Sequence, residues 1–297
     1  MRFVVTGHNG QVVQSLIERG GAAGHVVVPA GRPELDLASG NAAAILSALE
    51  RTTPDVIVSA AAYTGVDKAE SERELAFAVN AAGAGHVAAA ATALGVPLLH
   101  LSTDYVFSGE GTRAWNEDDP PGPMGVYGAS KLAGERKVLA ASPNSAVLRT
   151  AWVYSPFGAN FVKTMLRLAE SREEVGVVAD QFGNPTSALA IADAVIRVAG
   201  NLATSDDPAM RGVFHMAGSG ETSWAGLAEE IFALSAARGG PTARVRPIST
   251  ADYPTAAARP ANSRLDCSRL AAVHGLRLPD WRYSLTEVID RLVAQRT

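Results

Sequence analysis

The sequence places a tyrosine and a lysine four residues apart, in the segment Tyr127-Gly128-Ala129-Ser130-Lys131. On a helix, positions i and i+4 share one face, so the phenol and the ammonium can point into the same cleft. A phenol with its ordinary pKa of about 10 is a weak acid–base group at neutral pH, and a nearby cation stabilises its anion. The pattern predicts acid–base chemistry by Tyr127 with Lys131 as its partner. A surface Tyr–Lys pair on an amphipathic helix is the alternative interpretation.

A second set of chemical groups follows the apolar segment Leu98–Leu101, in Ser102-Thr103-Asp104. An open α/β sheet places its ligands at the carboxyl ends of its strands, so hydroxyls at this position reach the expected active site. Thr103 can hydrogen-bond the carbonyl oxygen that Tyr127 protonates. Without the Tyr–Lys pair, simple capping of the strand end would be the preferred interpretation.

A glycine loop follows the first apolar segment, in Thr6-Gly7-His8-Asn9-Gly10-Gln11-Val12-Val13. Glycines between a strand and a helix let backbone N–H groups approach a pyrophosphate at the helix N-terminus. A third glycine normally follows where Val13 stands, which predicts a first helix farther from the sheet and weaker cofactor binding. A tight turn without a ligand is the alternative.

The end of the second apolar segment bears on the choice of cofactor, through Val28-Pro29-Ala30-Gly31-Arg32. A site selective for NAD needs a carboxylate about 20 residues beyond the glycines, and none is present here. Arg32 can instead pair with a 2′-phosphate, so the sequence favours NADPH, with NADH as the other option. A solvated loop arginine is the alternative interpretation.

Short apolar segments alternate with alanine-rich helical stretches from the first residue. This alternation predicts an α/β fold with a Rossmann-like doubly wound parallel sheet. The predicted strands are Arg2–Val5, Val26–Val28, Val56–Ser59, Leu98–Leu101 and Ala146–Leu148, and the predicted helices are 10–19, 41–51, 71–94 and 127–141.

The alternation loosens after residue 150. Helices are predicted at 158–171, 187–203 and 223–236, with short strands at Val213–His215 and Arg244–Arg246. We expect a dinucleotide-binding domain over 1–150 and a smaller substrate-binding lobe over 151–297. The segment of about 177–218 is expected to return to the dinucleotide-binding domain.

Composition excludes several classes of protein. A net charge of −4 gives no reason to expect nucleic-acid binding, and no apolar run approaches the length of a membrane span. The single cysteine, Cys267, fits a reducing compartment, so a cytoplasmic location is expected. The six histidines show no zinc-ligand spacing, and no spacing indicates a Mg²⁺ site. His8 is interpreted as a solvated loop residue.

Taken in order, these and further motifs resemble the dTDP-4-dehydrorhamnose reductase family, within the extended short-chain dehydrogenases/reductases, over nearly the whole chain. Each motif alone is generic, but the ordered set is specific. The first half contributes Thr6-Gly7-x-x-Gly10-Gln11, Glu34-Leu35-Asp36-Leu37, Ala61-Ala62-Tyr63-Thr64, Val66-Asp67-Lys68-Ala69-Glu70, Ser102-Thr103-Asp104-Tyr105-Val106-Phe107, Glu117-Asp118-Asp119-Pro120, Tyr127-Gly128-x-Ser130-Lys131 and Arg149-Thr150-Ala151-Trp152-Val153-Tyr154. The second half contributes Asp180-Gln181-x-Gly183-x-Pro185-Thr186, Arg259-Pro260-x-Asn262-Ser263 and Leu278-Pro279-Asp280-Trp281-Arg282.

The resemblance implies roles for individual residues. Thr103, Tyr127 and Lys131 would be catalytic, and Tyr127 and Lys131 would also contact the cofactor. The other implied cofactor contacts are Gly7, Gly10 and Gln11 at the pyrophosphate, Asp36 and Leu37 on the adenine side, and Ala60, Ala61, Ala62 and Tyr63 at the ribose. The implied substrate contacts are Thr64, Val66, Thr103, Asp104, Tyr105 and Trp152.

The implied reaction is reduction of the C4 keto group of dTDP-4-keto-6-deoxy-L-mannose by NADPH, the last step of dTDP-L-rhamnose synthesis. A related nucleotide-sugar 4-ketoreductase or epimerase remains an alternative. A 4,6-dehydratase is disfavoured, because those relatives have a glutamate after the aspartate and Tyr105 stands there instead. A non-catalytic NADP-binding subunit, like the regulatory β subunit of methionine adenosyltransferase, is the alternative from another class.

Two positions depart from the family pattern. Val13 replaces a small residue, and Gly31 stands where many relatives carry an acid. The first predicts weaker cofactor binding, and the second favours NADPH. The resemblance leaves the oligomeric state, monomer or homodimer, and any Mg²⁺ requirement open.

Overall fold

The computed structural model describes residues 1–294, and six of their strands form a parallel central sheet. The order across this sheet is β10 (Gly212–His215), β5 (Ser145–Thr150), β4 (Leu98–Thr103), β3 (Val56–Ser59), β1 (Arg2–Thr6) and β2 (Val26–Ala30). Neighbouring strands are parallel throughout. The chain runs outward in one direction from β1 to β2 and in the other from β3 to β5, so the crevice for a ligand opens between β1 and β3. The predicted fold class is confirmed.

Helices cover the two faces of this sheet because its strands carry apolar side chains on both sides. On one face, α1 (Gln11–Ala22) and α8 (Ala188–Thr204) pack against Phe3, Val58 and Leu99. On the other face, α2 (Ala42–Glu50), α5 (Ala84–Leu94) and α6 (Val126–Ala141) pack against Val4, Ile57 and Leu98. Each such buried side chain contributes about 1.5–3 kcal/mol relative to exposure.

The helical stretch that ends in α5 contains an irregular turn. It begins with α4 (Arg73–Phe77), continues as a π-helix over Ala78–Gly83, and runs into α5. The whole stretch Arg73–Leu94 has 22 residues and a mean hydropathy of 1.3, enough by length and composition alone to cross a membrane. This corrects the expectation that no apolar run approaches that length. Half of its most apolar window is buried inside the protein, and we interpret it as a core helix.

The second half of the chain adds a smaller lobe with its own apolar core. In it, β7 (Glu174–Val178) pairs in parallel with β12 (Arg244–Ile248), and α7 (Phe161–Leu168), α9 (Trp224–Ala236) and α11 (Trp281–Ala294) pack around Val175, Ile231 and Leu285. Within the segment predicted to return to the first domain, α8 packs on the central sheet and β10 pairs with β5. The division at residue 150 stays a prediction.

Short elements connect the lobe to the central sheet. The remaining strands are β6 (Val153–Tyr154) paired with β9 (Thr186–Ser187), and β8 (Phe182–Gly183) between β11 (Thr222–Ser223) and β13 (Asn262–Ser263). The remaining α-helices are α3 (Val66–Ala69), which follows β3, and α10 (Ser268–His274), which packs against β10. These elements place the lobe over the carboxyl ends of β4 and β5.

Candidate active site

The glycine loop between β1 and α1 lies at the entrance of the crevice. Gly7 has a φ of 100°, which a residue with a β-carbon rarely adopts, and its N–H donates to Ala30 O at 2.7 Å. Helix α1 begins after Gly10, and no side chain of residues 1–294 caps its first amide groups. Uncapped N–H groups at a helix N-terminus fit a pyrophosphate.

Val13 packs into the protein core and also lines the catalytic half of the crevice beside the glycine loop. It is 2% exposed and belongs to the same apolar cluster as Phe3 and Leu16. Its effect on cofactor affinity stays a prediction.

One half of the crevice is a cavity of about 480 Å³ beside the glycine loop. The predicted cofactor residues that line it are Gly7, Arg32, Asp36, Leu37, Ala61, Ala62 and Tyr63. His8 lies across Gly31, where an added β-carbon would come within 2.8 Å of the His8 ring. Arg32, which follows Gly31 and lines the same cavity, is exposed.

Hydrogen bonds fix the segment after β3 that separates the two halves of the crevice. Thr6 Oγ1 accepts from Ala60 N at 3.0 Å and from Ala61 N at 2.9 Å. Asn80, on the π-helical turn, accepts from Tyr63 N at 2.8 Å and donates to Ser130 Oγ at 2.9 Å. Asn80 thus links the predicted ribose-binding loop to the helix that carries Tyr127. An isolated asparagine in an alanine-rich helix was its only sequence signal.

The other half of the crevice is a cavity of about 570 Å³ that shares Asn9 and Ala62 with the first. All the remaining predicted site residues line it: Gly10, Gln11, Ala60, Thr64, Val66, Thr103, Asp104, Tyr105, Tyr127, Lys131 and Trp152. The structure therefore brings the whole predicted set into one continuous cleft. Their individual roles stay predictions.

Thr103 and Asp104 form a buried polar pair at the end of β4. Thr103 Oγ1 donates to Asp104 Oδ1 at 2.9 Å and accepts from Tyr105 N at 3.2 Å. Asp104 is 3% exposed, and its Oδ2 has no hydrogen-bond partner within residues 1–294. Burial raises the pKa of Asp104 to about 6, against the opposing hydrogen bond from Thr103.

The electrostatics of Tyr127 differ from the sequence-based expectation. Burial and the charge of Asp104 raise the pKa of Tyr127 above its usual 10. The ammonium of Lys131 donates to Leu101 O at 2.6 Å, and burial lowers its pKa to about 8. Tyr127 is a neutral phenol at physiological pH, the form that donates a proton.

Trp152 lies where the catalytic cavity meets the smaller lobe. Its φ is 48°, an uncommon conformation for a bulky residue, and its ring stacks on Trp224 with the centroids 3.6 Å apart. Gly183 lies on the Trp152 ring, where an added β-carbon would come within 2.6 Å of it. Strained backbone of this kind clusters at functional sites.

A further cavity of about 540 Å³ continues beyond Tyr105 into the lobe, and sequence reasoning did not find it. Aromatic and basic side chains share its wall, among them Phe161, Arg172, Trp224, Tyr253 and Arg259. Arg259 bridges the two parts of the chain by an ion pair of 2.7 Å with Asp67. These side chains come from distant segments, and no short motif joins them. Within residues 1–294, no group of three or more His, Cys, Asp or Glu side chains is placed to hold a metal.

The parallel sheet, the glycine loop and the Tyr127–Lys131 pair on α6 define a Rossmann-fold oxidoreductase of the short-chain dehydrogenase/reductase type. The family model described as "RmlD substrate binding domain" matches residues 1–294, and the chain belongs to this family. The predicted family resemblance is confirmed.

Individual relatives agree with this assignment. The dTDP-4-dehydrorhamnose reductase of Sinorhizobium fredii is 49% identical over 296 residues, which cover 99% of each chain. A crystal structure of a dTDP-4-dehydrorhamnose reductase from Clostridium acetobutylicum superposes with a TM-score of 0.90 at 36% identity, covering 98% of this chain and 99% of that one. The Bacillus anthracis enzyme in complex with NADP has a TM-score of 0.90 at 35% identity, with the same coverage.

Proposed function

We propose that the protein reduces the C4 keto group of dTDP-4-keto-6-deoxy-L-mannose with NADPH, as a dTDP-4-dehydrorhamnose reductase. It would act in the cytoplasm as a monomer or homodimer. The observation that carries the proposal is the convergence of Thr103, Tyr127 and Lys131 in a cleft that leads from the glycine loop to Trp152. Full-length relatives with this name support the choice of substrate.

The residues of the cleft fit a nicotinamide dinucleotide. The two adjoining cavities are lined at one end by Asp36 and Arg32 and at the other by Tyr127 and Lys131, with the uncapped start of α1 between them. An extended dinucleotide needs this arrangement: a polar adenosine end, backbone N–H groups at the pyrophosphate, and the reacting end near the catalytic acid. When bound, the cofactor would supply the hydride.

The chain itself supplies the proton and holds the carbonyl. Tyr127 carries a proton at neutral pH and would give it to the C4 oxygen as that oxygen gains charge. Thr103 would donate a second hydrogen bond to the same oxygen in place of its bond to Asp104. Lys131, fixed to Leu101 O, keeps a positive charge beside the site below a pH of about 8.

The aromatic cavity beyond Tyr105 has the composition expected of a nucleotide site. Phe161 and Trp224 offer faces on which a base can stack, and Arg172 and Arg259 offer positive charge for a diphosphate. Tyr105 borders both this cavity and the catalytic one. A nucleotide in the outer cavity would therefore place its attached sugar near Tyr127.

An assay with synthetic substrate tests the proposal. We expect purified protein to oxidise NADPH rapidly with dTDP-4-keto-6-deoxy-L-mannose. The matched control is dTDP-4-keto-6-deoxy-D-glucose, which has the same nucleotide and keto group but a different sugar configuration, and should react at less than about a tenth of the rate. Equal rates with both sugars, or no oxidation with either, would refute the proposed substrate.

The choice of NADPH over NADH is tested through Arg32. Its guanidinium is exposed at the wall of the adenosine cavity, where it can pair with a 2′-phosphate. We expect Arg32→Ala to lower kcat/KM for NADPH about tenfold, the size of one charge-assisted contact, and to leave kcat/KM for NADH unchanged. Arg51→Ala, at the far end of α2, is the control and should change neither value.

A further inference from the structure

His100 is a buried histidine on β4 that the proposed mechanism does not use. It is 1% exposed and lies beneath Lys131, with its Nε2 atom 3.4 Å from Lys131 Nζ. On the other side of the ring, Nδ1 lies 3.0 Å from Ser59 Oγ at the end of β3. The three side chains form a continuous polar chain from the cleft to the interior of the sheet.

The contacts determine where the proton of His100 resides. Lys131 carries only donors, so Nε2 of His100 must accept from it, and the ring proton is then on Nδ1. Nδ1–H donates to Ser59 Oγ. Burial, together with the charge of Lys131, lowers the pKa of His100 well below its usual 6.5, so the ring stays neutral at physiological pH. A neutral ring with a free Nε2 lone pair is an acceptor for an ammonium.

We propose that His100 is a positioning residue for Lys131, holding the ammonium by its Nε2 atom so that one N–H remains directed to the cleft. An ammonium has three donors, and the structure engages one with Leu101 O and a second with His100. Two anchors on one strand fix the direction of a side chain that is otherwise long and flexible. The catalytic meaning of this role rests on the proposed function.

Other titratable groups lie near the same ammonium. Asp104, directly after β4, and Tyr127 on α6 line the cavity wall with Lys131. Glu135, one turn along α6, acts on Lys131 by its charge, and Arg149 on β5 neutralises Glu135 through a bidentate ion pair. These groups remain unchanged when His100 is replaced, so the effect of the replacement on Lys131 reports the imidazole itself.

The chain suits a direct measurement, because it contains only four lysines, Lys68, Lys131, Lys137 and Lys163. Lysine labelled with ¹³C at Cε gives one titrating NMR signal per residue, and Lys131→Arg identifies the signal of interest. In His100→Leu, which removes the acceptor, we expect the pKa of Lys131 to fall by about one unit, because the charged form loses a hydrogen bond. An unchanged or raised pKa would overturn the proposal.

The conservative variant provides the matched control. His100→Gln keeps an acceptor near the position of Nε2 and should hold the pKa of Lys131 within about 0.3 units of the native value. A fall as large as in His100→Leu would show that the packing of the ring, and not its acceptor, governs Lys131. That result would also refute the proposal.

The wild-type protein gives a test that does not depend on a variant folding. Long-range ¹H–¹⁵N spectra distinguish the two neutral tautomers of histidine from the cation. We expect His100 to remain in the Nδ1–H tautomer between pH 5 and 7, where Lys131 is an ammonium and its contacts require this tautomer. A cationic ring, or a proton on Nε2, in that range would contradict the proposal.

Kinetics connect the positioning role to turnover. The alkaline limb of kcat should move to lower pH in His100→Leu by the shift seen in the Lys131 signal, while KM for the substrate changes less than about twofold. A change in stability alone would lower the amount of folded protein without moving this limb. Because the NMR titrations use protein without substrate or cofactor, they hold even if the proposed reaction proves wrong.

Discussion

Ser102 and Thr103 are consecutive buried hydroxyl residues on β4, and they lie in opposite electrostatic environments. Ser102 donates to Glu135, whose carboxylate also accepts two hydrogen bonds from Arg149, at 2.9 and 2.7 Å. Thr103 donates to Asp104, whose second oxygen has no partner in the described part of the chain. Ser102 therefore belongs to a paired network beneath α6, whereas Thr103 belongs to an incomplete one at the cleft.

The difference separates structural from reactive polar groups. A buried carboxylate that is paired with a guanidinium and several donors stays ionised and holds its helix on the sheet. A buried carboxylate without that pairing has a raised pKa and a cost in stability, which a protein retains where function uses the group. Ser102 and Thr103 belong to these two different networks although they are adjacent in sequence, because successive side chains of a strand point to opposite faces.

The largest effect is expected at the reactive network. Tyr127→Phe removes the proton donor and should lower kcat by about a thousandfold, within the range for general acid catalysis. Binding of NADPH, measured by its fluorescence, should change less than about threefold. Tyr154→Phe is the control: this tyrosine is also buried, but its hydroxyl donates to Trp281 O in the lobe. The Tyr154→Phe variant should be less stable than the native protein but should keep its turnover. Near-native activity in Tyr127→Phe would show that another group supplies the proton.

Changes in the paired network of Ser102, Glu135 and Arg149 should lower the stability of the protein instead of its turnover. Arg149→Met leaves the Glu135 carboxylate buried without its cation, and we expect the free energy of unfolding to fall by about 3–5 kcal/mol. Turnover per folded molecule should stay within about threefold of the native value. Arg113→Met, which breaks an ion pair with Asp119 through an arginine side chain that is 65% exposed, should cost at most about 1 kcal/mol. Urea unfolding measures both losses in the free energy of unfolding. Losses of similar size in the two variants would show that the buried ion pair is no more important to stability than the exposed one.

Asp104 gives the smallest and most diagnostic effect. Its pKa of about 6 in the native protein lies above the value of 3.8 that an unperturbed aspartate has. The folded chain therefore binds this proton more tightly than the unfolded chain does. The contribution of Asp104 to the free energy of unfolding is fully present below pH 3.8 and is lost as the pH rises through 6.

Asp104→Asn stays neutral at every pH. We expect the variant to be about 1–3 kcal/mol more stable than the native protein at pH 8, and to differ little from it near pH 4. Its turnover should nevertheless fall. Urea unfolding at the two pH values measures the difference. A variant that is less stable than the native protein at pH 8 would mean that Asp104 is held by favourable contacts, like Glu135.

Sequence reasoning found the parts of the site that follow from strand and helix geometry. Tyr127 and Lys131 are one helical turn apart, Thr103 ends a strand, and the glycine loop follows β1, so their meeting at one edge of a parallel sheet was predictable. Arg32 was predicted from its position after the second strand, the other cofactor and sugar contacts came from the family resemblance, and all of them line the same cleft.

The remaining features depend on tertiary contacts that no local pattern encodes. The stack of Trp152 on Trp224 joins residues 72 positions apart, and the Arg259–Asp67 pair joins residues 192 positions apart. The strand Glu174–Val178 was missed: only Val175 and Val177 of its five residues are buried, a short apolar signal. The spacing predicted a lowered pKa for Tyr127, whereas burial and the charge of Asp104 raise it, and neither effect could be read from the spacing.

Isotope tracing tests the central claim most directly, namely that this cleft moves a hydride to C4 of the sugar. NADPH carrying deuterium at C4 of the nicotinamide can be prepared as either of two diastereomers and used with dTDP-4-keto-6-deoxy-L-mannose. We expect one diastereomer to give a product with a single deuterium on sugar C4, and the other to give none, because a bound nicotinamide presents one face. Deuterium on another carbon, equal transfer from both diastereomers, or a product without deuterium from either would contradict the account.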